Sequence, residues 1–296
     1  MRKPDLPANQ ADSKPSAAKP AEQQLSWQKR RDWLRNRLKS PASKGISAEE
    51  SEAHFSGMPA RYWEQVTEAD LLWSLQAVQG FLKVVAGSDA PATKPVMQWR
   101  PAADSASTRV MLCTWDRHGL LAKAAAAFSA VRLSILQAQA FTRADNIVLD
   151  FFSVTDLDGG AVGEARLRET LFLLEGALSE PPRFVSVWMS SRHKYLLPAG
   201  QPVPQITFDN QSSPAATLVR IEAPDRLGLL CDILQTLADS GLDITEANIQ
   251  TENNLARDVV HVRDANHQKV LAPARLKALR QKLEAALALK DQSSGT

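Results

Sequence analysis

The chain repeats itself, and that constrains its fold more than any other feature. Residues 108–121 read T-R-V-M-L-C-T-W-D-R-H-G-L-L, and residues 217–230 read T-L-V-R-I-E-A-P-D-R-L-G-L-L. An offset of 109 places Asp116, Arg117, Gly119, Leu120 and Leu121 on Asp225, Arg226, Gly228, Leu229 and Leu230. The same offset carries Leu133, Ile135, Ala138 and Thr142 onto Leu242, Ile244, Ala247 and Thr251. Upstream it carries Pro95 onto Pro204 and Trp99 onto Phe208. One residue is lost in the next loop, so Asp150 and Asp156 correspond to Asp258 and Asp264. Self-similarity at a fixed spacing means one structural unit built twice.

Each unit has a readable order. Thr108–Thr114 alternates as a strand, Asp116 follows as a helix cap, and Leu120 to Val131 forms an Ala-rich helix. Leu133–Thr142 and Ile147–Thr155 read as strands joined by a link short enough for a hairpin. Gly159-Gly160 breaks the chain before a helix over 163–179, and Phe184–Met189 reads as a closing strand. The order is βαββαβ, an α+β ferredoxin-like sandwich with two helices on one face of an antiparallel sheet. The second copy ends in a helix over 273–288 without that closing strand, which would leave its first strand bare on one side. Gln205–Phe208 is expected to pair antiparallel in the vacant slot, beside Val219, and Val96–Trp99 holds the equivalent place before the first copy.

Ahead of the repeat, charge is unevenly spread. Residues 1–40 carry +6, and the remaining 256 carry −4. Residues 1–20 are Pro-, Ala- and Lys-rich with too few apolar residues to offset chain entropy, and are expected to be disordered. Leu25, Trp33, Leu34 and Leu38 then recur among arginines and lysines as a short basic amphipathic helix. Such a helix either meets a phosphate backbone or anionic surface, or packs on the body; its shortness favours packing. Trp27 and Trp33 flank the basic run, but no nucleic-acid motif is present. Ser47 with Glu50 caps a further helix, and Thr67 caps a stronger one lined by Leu71, Leu72, Leu75, Val78, Leu82 and Val85. His54 stands alone and is read as structural. No apolar run is long enough to span a membrane, and Cys113 and Cys231 have no metal-spaced partners, so neither a metal nor a cofactor is expected, and a reducing cytoplasmic setting is.

The D-R-x-G-L-L turns carry the chemistry. Asp116 and Asp225 sit where a strand hands over to a helix, and their carboxylates suit either backbone N–H groups or the ammonium of a bound amino acid. Gly119 and Gly228 permit positive φ, and the helix N-termini behind them suit a carboxylate. Gln139 and Asn248, at matching places on the second strands, would add side-chain amide bonds.

The duplicated D-R-x-G-L-L element, with I-x-x-A and a later hydrophobic strand ending V-x-D, resembles the ACT domain, a small-molecule-sensing regulatory module. M-P-A-R-Y-W at 58–63, the helix after it and V-P-Q-I-T-F-D-N at 203–210 make roughly residues 50–287 similar to the C-terminal half of the uridylyltransferase/uridylyl-removing enzymes that act on the PII nitrogen-signal protein. Composition and periodicity give a disordered basic tail at 1–24 and a basic helix and linker at 25–46, and the resemblance implies a helical connector at 47–93. It also implies one ACT domain at 94–192, and a linker strand with the second at 193–296. It implies an amino-acid effector, glutamine as the first guess, held by Asp116, Arg117, His118, Gly119, Leu120 and Gln139. In the second copy the corresponding residues are Asp225, Arg226, Leu227, Gly228, Leu229 and Asn248.

The departures from that family matter as much. Its nucleotidyltransferase domain needs a Gly-Ser turn followed by paired aspartates, whereas Gly87-Ser88-Asp89 is a helix exit with no second carboxylate nearby. Its phosphohydrolase domain needs an adjacent His-Asp, which none of the five histidines supplies. No catalysis is therefore expected of this chain alone. The partners implied are a homodimer through ACT sheets or a PII-type or uridylyltransferase protein, in nitrogen or amino-acid metabolism. His118, where the family usually has Pro, and Leu227 flank the expected pocket and leave the effector open.

Overall fold

The computed structural model describes residues 20–39, 46–87, 94–102, 106–179 and 202–288. Helices α1 (Pro20–Leu38), α2 (Ala48–Gly57), α3 (Ala60–Gln65) and α4 (Glu68–Ala86) lead into two modules. Module one runs β1 (Val96–Pro101), β2 (Thr108–Trp115), α5 (Leu120–Ala130), β3 (Ser134–Thr142), β4 (Ile147–Thr155) and α6 (Glu164–Leu178). Module two runs β5 (Gln205–Asp209), β6 (Thr217–Pro224), α7 (Leu229–Asp239), β7 (Leu242–Glu252), β8 (Leu255–Asp264) and α8 (Pro273–Leu287).

All eight strands join one antiparallel sheet in the order β1-β2-β4-β3-β7-β8-β6-β5. The order is a palindrome of modules, and its centre is the β3–β7 seam, where Gln137, Ala138 and Gln139 pair with Gln250, Ile249 and Asn248. The leading strand fills the outer slot in both modules. Trp99 lies opposite Val110, and Phe208 lies opposite Val219 at the same offset. The expected pairing of Gln205–Phe208 with the strand through Val219 is therefore present. The expected closing strand at 184–189 lies outside the described residues, and its usual place beside β2 is held by β1.

Helices α5 to α8 cover one face of the whole sheet over a single apolar core that crosses the seam. Ala124, Ala125, Ala126 and Ala127 on α5 are all buried, because α5 is wedged between the sheet, α6 and α7. Small side chains let those backbones approach, and that accounts for the Ala-rich run.

The connector covers the other face of module one only. Helices α2 to α4 place Phe55, Tyr62, Trp63, Leu71, Leu75, Val78 and Phe81 against Met111, Cys113, Phe141, Leu149 and Phe151. Ser47 caps α2 through the Glu50 N–H at 3.0 Å, and Thr67 caps α4 through the Asp70 N–H at 3.2 Å, as their spacing predicts. Gly57 is required where α2 meets the β3–β4 hairpin, because a Cβ there would stand 2.8 Å from Cγ of Arg143. His54 is fully buried and its Nε2 pairs with the Tyr62 hydroxyl at 3.0 Å, which in turn meets Ser74 Oγ at 2.5 Å. Burial, aided by Arg143, holds the imidazole pKa down at about 3, so it is neutral and structural.

The basic helix begins earlier than expected: α1 starts at Pro20, so residues 20–24 are helical, whereas 1–19 lie outside the described residues. Proline suits the first helical position. The helix packs on the body: Leu34 is fully buried, and Arg30 Nη1 donates to the carbonyls of Trp63, Glu64 and Val66 at the end of α3. Arg31 and Arg35 lie over the Phe55 ring at 5.9 and 4.6 Å. Among the described residues, no helix is long and apolar enough to cross a membrane.

Candidate functional site

Both D-R-x-G-L-L turns have one construction. The Asp116 N–H donates to the Asn146 carbonyl at 2.8 Å, and the Asp225 N–H donates to the Asn254 carbonyl at the same distance. Gly119 (φ 72°) and Gly228 (φ 79°) are the N-cap residues of α5 and α7, in the left-handed region that glycine tolerates best. The expected Asp caps are thus displaced: each helix starts four residues after its aspartate, leaving the carboxylate beside the turn rather than over the helix end.

The arginines serve the scaffold. Arg117 Nη1 donates to the Leu178 carbonyl at 3.3 Å, and Arg226 Nη2 donates to the Ala286 carbonyl at 3.3 Å. These carbonyls close α6 and α8, where a cation complements the negative helix end. Arg226 also forms a buried ion pair with Asp232 at 2.6 Å. Leu120, Leu229 and the half-buried Leu227 pack into the core, while His118 points to solvent.

Gln139 and Asn248 do not join the turns. Side chains alternate along a strand, and their neighbours Ala138, Ala247 and Ile249 already occupy the helix face. The two amides stand opposite each other at the seam on the far side of the sheet, where Gln139 Oε1 accepts from Arg109 at 3.2 Å.

What gathers around Asp116 comes from both modules and the connector. Beyond Gln139 and Asn248 the central strands part, and the start of β7 closes over the first turn. A space of about 30 Å³, room for a water, is lined by Asp116, Gly119, Leu120, Asp150, Asp243 and Thr245. It adjoins a cleft of about 410 Å³ that includes Arg61, Asp116, Asp243, Glu246, His261 and Arg263, a size within the range of small-molecule sites. Arg61, from the M-P-A-R-Y-W segment, crosses this opening. Its guanidinium pairs with Glu246 at 2.7 Å, donates to the carbonyls of Ala140 and Thr245, and lies 4.5 Å over Phe141. Burial lowers its pKa to about 10 against the opposing pull of Glu246, and it stays charged at neutral pH.

Acidic groups converge beneath it. Asp150 is buried in the middle of β4 with Oδ1 unpartnered, and burial followed by the charge of Asp116 raises its pKa well above the usual range. Asp116 keeps an exposed rim, yet partial burial and the facing Asp243 raise its pKa as well. Module two repeats the arrangement. Asp258 Oδ1 is also buried and unpartnered, with a pKa raised to about 7 by burial and by Asp225, itself raised to about 6 by burial. Asp150, Asp243, Thr245 and Arg61 were not singled out from the sequence. A carboxylate in the middle of an apolar strand, present in both copies, was the available signal for Asp150 and Asp258. The others depend on how the modules meet.

The family model described as "ACR9-like, ACT-like domain" matches residues 205–290. A bifunctional uridylyltransferase/uridylyl-removing enzyme of Azospirillum brasilense is 30% identical over 248 residues, covering 82% of this chain and 26% of the relative. One from Ectopseudomonas mendocina is 27% identical over 257 residues, covering 81% of this chain and 28% of the relative. One from Rhodospirillum rubrum is 31% identical over 199 residues, covering 63% and 20%. The chain is homologous to the C-terminal part of these enzymes. It spans about a quarter of the length of the first two, 26–28%. The two ββαββα modules are joined through their third strands, and the ACT-like model covers the second of them.

Proposed function

We propose that the chain is a regulatory ACT-like protein that binds an amino acid at the seam and passes its occupancy to a partner. The observation that carries this reading is the cleft at Asp116, where one module's turn is roofed by the other module's strand. Acidic groups at Asp116, Asp150 and Asp243 suit an ammonium, and Arg61 and Arg263 on the adjoining wall suit a carboxylate. Glutamine is the first effector to try. Binding at a seam couples to regulation only if the ligand prefers one arrangement of the modules over another, and a site lined by both modules is sensitive to their arrangement.

The uridylyl-transfer and uridylyl-removal named for the relatives are not assigned to this chain on its own. A non-catalytic subunit or remnant of such an enzyme, acting with a PII-type or uridylyltransferase partner, remains the second reading because the shared region is their C-terminal part. Pairing through β3 and β7 is consumed within the chain, so a dimerisation adaptor that joins sheets edge to edge would use the outer strands β1 or β5 among the described residues.

Thermal unfolding of the full chain with glutamine and a panel of other amino acids tests the reading. The expected result is an upward shift with one amino acid that Asp116→Asn removes and an exposed Glu164→Gln retains. Absence of a shift with any amino acid, or equal loss in both variants, overturns it.

A further inference from the structure

A second polar cavity lies on the connector face of module one, between the connector and the sheet. Its volume is about 650 Å³, and its walls are the first turn of α4 and strands β1 to β4. At its base Asp70 is buried, and it accepts from Arg100 Nη2 at 2.5 Å and from Arg109 Nη2 at 3.2 Å. Two guanidiniums share one carboxylate, and Asp70 is the sole acid among the described lining residues. The site therefore carries a net charge of about +1 in a broad cleft open to solvent on one side, with Asp70 and Arg109 buried at its base, and the uncompensated charge favours an anion.

Both guanidiniums are held in place. Arg100 lies 4.4 Å over the Trp73 ring and Arg109 lies 5.1 Å over Phe151, while Gln139 Oε1 accepts from Arg109. Cations fixed by aromatic faces lose little freedom when a ligand arrives. The remaining wall adds hydroxyl and amide donors: Ser107 Oγ and Ser153 Oγ stand 3.1 Å apart, and Gln137 borders the opening. The first turn of the 19-residue helix α4 contributes its positive end to the same space.

Module two lacks this pair of arginines, and two of its matching residues line the amino-acid cleft instead. At the positions matching Arg100, Arg109, Gln137 and Ser153 it carries Asp209, Leu218, Glu246 and His261. The cluster is thus no by-product of the duplication. It exists only where the connector meets module one, and it lies behind the seam, since Gln139 is also the seam partner of Asn248.

We infer that this cavity binds a small molecule bearing an oxyanion, a carboxylate or a phosphate, through Arg100 and Arg109. The guanidinium fork matches either group with paired hydrogen bonds. The site is separate from the amino-acid cleft, so it stands or falls on its own.

Calorimetric titration of the full chain with inorganic phosphate, and separately with succinate, at low ionic strength tests the inference. At least one is expected to bind, and the one that binds identifies the group; binding of both identifies charge as the feature read. Arg100→Gln is expected to weaken binding by about tenfold or more, as is Gln137→Glu, which places an acid where module two has one. Arg168→Gln, exposed on α6, is expected to leave it unchanged. Should Arg100→Gln fail to fold, Gln137→Glu on the exposed rim decides. Failure of both titrants to bind, equal weakening by Arg168→Gln, or full binding by the folded cavity variants would overturn it.

Discussion

The two modules share a backbone and differ in what lies over their outer faces. In module one every residue of β4 is buried, because helices cover one face and the connector covers the other. In module two the matching strand β8 alternates between buried and half-exposed or exposed residues, because only the helix face is covered among the described residues. The sequence follows suit. Met111, Cys113, Leu149 and Phe141 of module one become Arg220, Glu222, Arg257 and Gln250. The helix-facing residues keep their apolar character in both copies, so the difference teaches that one fold can serve as a three-layer or a two-layer structure by changing one alternate set of side chains.

The most damaging exchange should carry the module-two outer face into module one. Leu149→Arg places a charge beneath the connector and should cost about 4 kcal/mol or more, read as loss of the cooperative urea transition. The reverse change, Arg257→Leu on the bare face, should stay within about 0.5 kcal/mol. Similar costs for the two would break the comparison.

A smaller loss is expected at the junction. Arg61→Ala strands Glu246 and the Ala140 and Thr245 carbonyls, and should cost about 2–3 kcal/mol. Hydrogen exchange should rise in α3 and along the parting ends of β3 and β7, while β5 and β6 stay protected. Uniform loss of protection across both modules would show that the connector is not specific to the seam.

The buried aspartates set a pH dependence. The native pKa of Asp258 is raised to about 7, above its unfolded value, so the native state holds more protons between about pH 4 and 7. Stability from this group therefore falls as pH rises through that window and is regained on acidification. Asp258→Asn should flatten the dependence there and raise stability at pH 8 by on the order of 1–2 kcal/mol. Asp145, Asp209 and Asp264 have pKa values held low, and their stabilisation is lost only as pH falls below about 4, outside the window. Asp150→Asn should act in the same sense in module one; a melting profile unchanged by either variant would contradict the burial argument.

The smallest effect tests the likeness itself. Gly119→Ala and Gly228→Ala each force a β-carbon into the left-handed region and should cost about 1 kcal/mol, nearly alike. Unequal losses would mean that the two turns are not equivalent.

Much of this fold was legible in the chain. The repeat, the strand and helix order, the caps at Ser47 and Thr67, and the pairing of Gln205–Phe208 all rest on local chemistry that sequence displays. The site was legible only in part. The turn and its glycine are visible in the sequence, but the contacts of Arg117 and Arg226 with the last turns of α6 and α8, at the far end of the same module in sequence, are not. Position in the strand places Gln139 and Asn248 at matching sites but does not fix which face they occupy, because the bulges between Ile135 and Gln137 and between Ile244 and Glu246 reset the alternation.

The sequence by itself determined that there are two copies of one sandwich, where their turns lie, and that Asp150 recurs as Asp258. Only the tertiary structure decided that the copies join through β3 and β7 within one chain, that β7 roofs the Asp116 turn, and that Arg61 spans the gap. The physical reason is range. Periodicity, caps and turns are set by neighbours a few residues apart, whereas a site formed by two modules depends on strand edges whose backbone hydrogen-bonding groups are alike in every sequence.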